Sequence, residues 1–419
     1  MRRIAGMMSA ALLCLMASSA RAEADLPAHT EVDRALDEHV MVTNARARLR
    51  IELSEQRKRD SGGYEFTLHG ASYRDRMLEG TTWTDNRDWE VALERPFRLP
   101  NKMLIDDEIG AAAAARGEHG VQDSRHETAR KLLQLWFAWQ REQAQAAQWQ
   151  AQMDILQQQA QITEKRIKAG DAPRMELNQV NAAAAMSGVS LQQAQLRARL
   201  AAEELQRQFP AIHLPGTVAV VEPQAITQTQ AYWREAVLEH NHELALVMAE
   251  TRFQQGLAER SRADRLPDPT LGLRYASQLD ARQKIGGLYF SIPLGYSARA
   301  ADADAAEAAA RIASEQEQAA RARIEGSIFR AYTHAVSSFD IWQQAHEAAG
   351  ALKQNAELIA RAYSLGESSL DATLVARRQA LEAVLAETLA RLDANEARYR
   401  LLLDAHQLWQ SDDADHAPH

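Results

Sequence analysis

Two widely separated stretches of this chain share one layout, and that duplication limits what it can fold into. Residues 166–181 read RIKAGDAPRMELNQVN, and residues 363–379 read YSLGESSLDATLVARRQ. In each, a helical pattern of polar and apolar residues runs into a glycine, Gly170 or Gly366. Three positions later Pro173 or Ser369 opens a second helical pattern. Glycine takes the left-handed backbone that closes a helix, and proline or serine favours the start of the next. Each stretch therefore predicts the tight turn of a hairpin of two helices. The two glycines lie 196 positions apart in a chain of 419 residues. A second landmark recurs at nearly the same offset: a short alternating run ending in Pro96 or Pro293, with a basic residue six further on, Lys102 or Arg299. Two independent landmarks at one spacing predict tandem repeats.

Residues 1–22 carry two early arginines, an apolar run and the triplet Ala20-Arg21-Ala22, the pattern of an export signal cleaved before Glu23. The only cysteine, Cys14, falls inside it. The residue before it is Leu13, where a lipid-anchor signal takes Gly, Ala or Ser. The mature chain is thus expected to hold no disulfide, no cysteine-based metal site and no cysteine nucleophile. Removing the signal lowers the formal net charge from −9 to about −12, which argues against a nucleic-acid partner. No later apolar run approaches 18 residues, which excludes a membrane-spanning helix.

Between the landmarks, periodicity predicts the elements. The first repeat is expected over 23–209. It has a charged helix over 31–60 and a strand hairpin at about 64–98, with residues 74–88 read as a charged loop. A helical hairpin over 101–209 follows. After a linker over 210–227 comes the second repeat, 228–410, with a helix over 230–264, a strand hairpin at about 269–294 and a helical hairpin over 297–410. Residues 411–419 form a tail. The strands alternate: Leu68, Val91, Leu273 and Phe290 fall on one face, and Thr67, Ala92 and Ser291 on the other. Strands of about ten residues with this alternation suit a membrane β-barrel. The proline-free tracts could each be helices roughly 100 Å long, with Gly110, Gly117 and Gly120 as candidate bends. Apolar and small residues at Trp149, Met153, Leu156, Ala160 and Ile167 predict a coiled-coil seam, as do Ile341, Ala345, Ala348, Leu352, Asn355, Ile359 and Ala362. The fold class that follows is mainly α with a membrane β-barrel portion. Four strands cannot close a barrel, and an open edge cannot face lipid. Several copies must therefore share one barrel, and three give 12 strands.

The order helix, strand hairpin, long helix, glycine turn, helix, twice over, resembles the TolC family of outer-membrane efflux channels. The resemblance is carried by LERPFRLPNK and FSIPLGYSAR at the strand-to-helix passages, and by AGDAPRMELNQVNAA and LGESSLDATLVARRQALEA at the turns. The start of the long helix at residues 101–115 and the ELNQ turn look most like the branch serving heavy-metal efflux pumps. The resemblance implies a homotrimer: a 12-stranded barrel in the outer membrane, in contact with its lipid, continued by a periplasmic helical tunnel. It also implies partners, a periplasmic adaptor and an inner-membrane pump of the RND type, with the channel itself passive. The hairpin tips Gly170, Asp171, Gly366 and Glu367 would meet the adaptor. Glu176 and Tyr363 occupy the family's gate positions between neighbouring hairpins. Ser368 stands where the family example has an arginine. Asp371 lies one position before the family's acid ring, where this chain has Ala372.

The thirteen histidines read as scattered surface residues. His240 and His242, two apart, fall on different faces of a helix, and no zinc-helix spacing occurs. No catalytic triad, phosphate loop or paired-acid motif stands out, so the reading is a non-enzyme without cofactors. Two alternatives use the same features: the outer-membrane channel of a type I protein secretion system, and a pore-less periplasmic coiled-coil adaptor or structural protein. An adaptor usually has one helical hairpin flanked by lipoyl-like and barrel segments, without membrane-length strands.

Overall fold

The computed structural model describes residues 24–62, 64–216 and 219–409, so the expected export signal, Cys14 and the tail lie outside the described residues. The first repeat comprises α1 (His29–Glu38), α2 (Val40–Ser61), β1 (Thr67–Glu79), β2 (Thr82–Pro96), α3 (Pro100–Ala169) and α4 (Arg174–Gln208). The second comprises α5 (Gln230–Glu239), α6 (His242–Ala263), β3 (Thr270–Gln278), β4 (Gln283–Ser291), α7 (Ser297–Ser364) and α8 (Leu370–Asp404). Corresponding helices match in length: α2 and α6 have 22 residues each, α4 and α8 have 35 each, and α3 and α7 have 70 and 68. At about 1.5 Å per residue α3 is roughly 100 Å long.

Each leading helix expected as one piece is two. The first breaks at His39, whose ring accepts the Met41 N–H at 3.3 Å. The second breaks at Asn241, whose side chain accepts the Leu244 N–H at 2.8 Å. Both are N-caps that give α2 and α6 a fresh start.

The strands form one antiparallel sheet in the order β1-β2-β3-β4, so β1 and β4 are open edges. The charged loop expected over 74–88 is instead strand: β1 and β2 run to a tight turn at Gly80, φ +66°. Charge there marks cross-strand pairing and not a loop. Arg76 faces Asp85 in the register, and its Nε donates to Asp85 Oδ1 at 2.7 Å, the kind of pair that stabilises a ladder. The β3–β4 turn is longer, with Leu279, Asp280 and Ala281 all at positive φ. It is pinned to β2: the Leu279 N–H donates to Asp88 and the Arg87 N–H to Asp280, at 2.9 and 3.0 Å.

The long α3 is unbroken. Its glycines admit neighbours: a Cβ at Gly117 would stand 2.8 Å from Leu49 Cδ1 and 3.2 Å from Leu49 Cα, and one at Gly110 2.9 Å from Gln56 Cγ. They let α2 lie directly on α3. The buried core sits midway along the helices, where Trp136, Phe137, Leu205, Phe209 and Tyr399 pack with Val32 and Leu36 of α1. Asp25, 2% exposed, ties this region together. Its carbonyl accepts from Trp136 Nε1 at 2.7 Å and Gln140 Nε2 at 3.1 Å, and its carboxylate accepts from the Tyr399 hydroxyl at 2.7 Å.

The seam along α3 buries Leu156 and, between the expected Ala160 and Ile167, the polar Thr163. The seam along α7 is shifted by a residue at every second position. Ile341 is 59% exposed and Asn355 is exposed, while Ser338, Ala349 and Ala356 are buried. Ala356 packs against Ala376 and Ala380 of α8. Close approach of α7 and α8 selects the smallest side chains, and a search for the most apolar residues picks the neighbouring row.

The strand-to-helix passage is the best-anchored joint. Lys102, 1% exposed, donates to the Leu266 carbonyl at 2.7 Å and lies 2.9 Å from Asp264 and 3.0 Å from Asp268. Beside it Asp106 accepts from Arg98 and Arg260, each at 2.8 Å. A buried ammonium is tolerable only with such partners.

Candidate functional site

At the far end of the helices the two turns have one geometry. Gly170 and Gly366 take left-handed φ of +83° and +79°. The Asp171 N–H reaches back to the Arg166 carbonyl at 2.9 Å, and the Glu367 N–H to Ala362 at 2.9 Å. This six-to-one closure satisfies carbonyls that the helix end leaves open. Ser369 then caps α8 by accepting the Ala372 N–H at 3.1 Å, whereas Pro173 starts α4 with no side-chain cap. Nothing lies within 4 Å of a Cβ built on either glycine. The backbone angle requires glycine there, not lack of space. Gly170, Asp171, Gly366 and Glu367 are all exposed, so both tips present backbone and carboxylates outward.

One turn behind the tips, Tyr363 and Glu176 come together through a residue that sequence reasoning did not single out. Arg166 donates to the Tyr363 hydroxyl, and its guanidinium lies over the Tyr363 ring, 5.0 Å from the centroid. The same guanidinium is 3.7 Å from Glu176 Oε2 and donates to the Asp171 carbonyl at 3.2 Å. At 3.7 Å the Arg166–Glu176 contact is an ion pair without a hydrogen bond. Burial pushes the Tyr363 phenol above its ordinary value, Arg166 works against that and Glu176 with it, so the hydroxyl stays protonated. Arg166 stands one helical turn before Gly170, a spacing at which a cation also suits the helix C-terminus. That position is the signal that could have found it. Asp371 is not part of this group. It is exposed in the first turn of α8, where a carboxylate complements the helix dipole.

The sheet sorts its faces as the alternation predicts. Leu68 faces Leu93, Leu93 faces Leu273, and Leu271 faces Phe290. These side chains are exposed, Leu288 to 84% and Leu68 to 71%. The other face is polar and interlinked: Glu94 accepts from Tyr289 and pairs with His69, both at 2.7 Å, and Arg274 pairs with Glu90.

The histidines are not all scattered. His126, His240, His242 and His406 converge from α3, the α5–α6 junction and the end of α8. His406 lies 4.6 Å from His242, 5.2 Å from His126 and 6.0 Å from His240, ring centroid to ring centroid. Burial, helped by the neighbouring imidazoles, lowers the pKa of His242 and of His406 to about 4. Among the described residues no group of three or more side chains is placed to hold a metal ion. Apart from His240 and His242, these residues are too far apart in sequence to leave a local spacing to read.

By sequence, no family model matches the chain and no curated protein matches it. Solved structures do. The Campylobacter jejuni CmeC outer membrane channel superposes with a TM-score of 0.73 at 14% identity, over 92% of this chain and 87% of that one. The fold is that of the TolC-type outer-membrane channels. CusC, whose crystal structures concern conformational changes accompanying folding and transmembrane channel formation, matches with a TM-score of 0.68 at 15% identity, over 90% and 91%. VceC, an outer membrane protein of Vibrio cholerae, matches with a TM-score of 0.69 at 17% identity, over 91% and 95%. The TolC-type layout of two strand hairpins alternating with long helical hairpins thus spans nearly all of this chain.

Proposed function

We propose that this chain is one third of an outer-membrane efflux duct: a homotrimer whose shared barrel crosses the outer membrane and whose helices extend through the periplasm. The observation that carries the reading is the sheet. It offers an apolar face with exposed Leu68, Leu273 and Phe290, a charged opposite face, and two unpaired edges. Apolar side chains facing outward suit lipid, and the open edges require further strands from other copies. Solutes would pass along the charged face. The duct has no catalytic role. Energy comes from an inner-membrane pump joined through a periplasmic adaptor, for which the exposed tips at Gly170 and Gly366 are the contact points. The Tyr363–Arg166–Glu176 group narrows the periplasmic mouth.

The finer reading, a duct for heavy-metal cations, is supported only by the resemblance at residues 101–115 and the ELNQ turn. The matched structures, at 14, 15 and 17% identity, favour no branch. The test is reconstitution of the purified protein. The expected result is a trimer by native mass spectrometry that gives discrete conductance steps in planar bilayers. A soluble monomer without conductance would overturn the proposal in favour of a pore-less periplasmic rod.

A further inference from the structure

The joint between sheet and helices is complete once and incomplete once. Lys102 is the third residue of α3, which follows β2. It reaches across to Asp268, which stands two residues before β3, the next strand in the sheet. So a basic side chain behind one strand is held by a carboxylate ahead of its neighbour. Arg299 is the third residue of α7, which follows β4, and is Lys102's counterpart in the second repeat. In the described chain β4 has no further neighbour. Among the described residues Arg299 makes no ion pair, and its Nη1 is buried without a hydrogen-bond partner. A buried donor left unmade is costly and uncommon.

The missing carboxylate is present at the other edge. Glu65 stands two residues before β1, the place that Asp268 holds before β3. It is exposed, and neither a hydrogen bond nor an ion pair engages its side chain among the described residues. Asp302, one turn along α7 from Arg299, is near in sequence but forms no pair with it. We propose that Arg299 of one copy is held by Glu65 of the next, so that the Lys102–Asp268 latch within each chain is repeated at every seam between chains. This rests on the reading of the protein as a closed oligomer. The two latches differ in one respect. Lys102 has a second carboxylate, Asp264, at the end of α6, and the corresponding residue after α2 is Gly62. The guanidinium of Arg299 can instead engage one carboxylate with two donors.

The experiment uses the full chain in native membranes, where Cys14 is the sequence's only cysteine. The variant carrying Arg299→Cys and Glu65→Cys is treated with a short bifunctional maleimide and run on a denaturing gel. A ladder of covalent dimers and trimers is expected, and neither single variant should give it. In a second arm, Arg299→Glu or Glu65→Arg alone should lower the trimer-to-monomer ratio about tenfold, the scale of a close charge pair across an interface. The double reversal should restore the ratio. If the wild type is a trimer but the double-cysteine variant gives no ladder and the double reversal does not restore assembly, the latch is overturned while the oligomer stands. If the wild type is not a trimer, the oligomer itself is overturned, and the latch with it.

Discussion

The middle of the helical body and the sheet are built on opposite plans. In the body, Trp136 and Tyr399 are buried within one chain and their polar atoms are satisfied by Asp25. In the sheet, Leu288 and Phe290 are 84% and 70% exposed and both edge strands are open. The first region finishes its packing alone, and under the proposed function the second relies on lipid and on other copies. A defect in the body should therefore be felt by the isolated chain. A defect in the sheet should be felt only on insertion and assembly.

The largest effect should come from Trp136→Ala. It empties a core site and removes one of the two donors to the Asp25 carbonyl, and such truncations cost about 3–5 kcal/mol. The midpoint of chemical denaturation, followed by helical circular dichroism in detergent, should fall sharply. Leu288→Ala should leave that midpoint almost unmoved. If the two variants shift it equally, the contrast between body and sheet fails.

In the sheet the order reverses. Leu273→Arg places a charge on the outward face and should cost about 2–4 kcal/mol near mid-membrane, read as loss of the heat-modifiable assembled species. Ala92→Ser and Thr67→Ser, on the charged face, should assemble normally. Comparable losses in both sets would mean that the faces are assigned the wrong way round.

Next in size is an acid response of the body. His242 and His406 have folded pKa values lowered to about 4, burial being the main cause. The unfolded chain, with ordinary imidazoles near 6.5, binds more protons between those values. Stability should therefore fall as pH drops from about 6.5 to about 4 and change little from these groups below that. Denaturation midpoints across that range should flatten in the His242→Gln, His406→Gln variant. An unchanged pH slope would show that the cluster does not titrate on unfolding.

These contrasts also mark what could be read without coordinates. The repeats, the four strands and their faces follow from periods of 2 and 3.6 and from glycine turns, all of which are local. Where local character misled, another chain segment decided the outcome. Residues 74–88 look like a loop until Arg76 meets Asp85. Ile341 looks like the seam until Ala376 and Ala380 select Ala356. The histidine cluster and the Asp25 anchor join residues up to several hundred positions apart, for which one sequence holds no trace. At the candidate gate Tyr363 and Glu176 could be named from resemblance, but Arg166 emerged only from the geometry.

Arg166 gives the next test. Its links to Tyr363 and Glu176 lie at a wet helix end, so each should contribute only about 1–2 kcal/mol. Tyr363→Phe with Glu176→Gln should raise single-channel conductance or open probability, and Arg166→Gln should do the same. Trimer level should not change in any of them. Wild-type conductance in all three would place the constriction elsewhere and leave these residues as packing.

The smallest effect on stability should come from the tips, and there it separates two roles. Gly170→Ala and Gly366→Ala each force a Cβ into a left-handed turn, at a cost of about 1 kcal/mol. Space is not the obstacle, since nothing lies within 4 Å of either built Cβ. The strain is therefore the whole structural penalty, and it scarcely grows from alanine to a bulkier residue. Docking of an adaptor on the exposed tip depends instead on how far a side chain projects. Going from alanine to leucine at Gly366 should leave trimer level nearly constant while efflux, measured as survival of cells carrying the pump and adaptor, falls further. If trimer level and efflux decline together along that series, the tips serve only to close the helices, and the adaptor docks on some other surface.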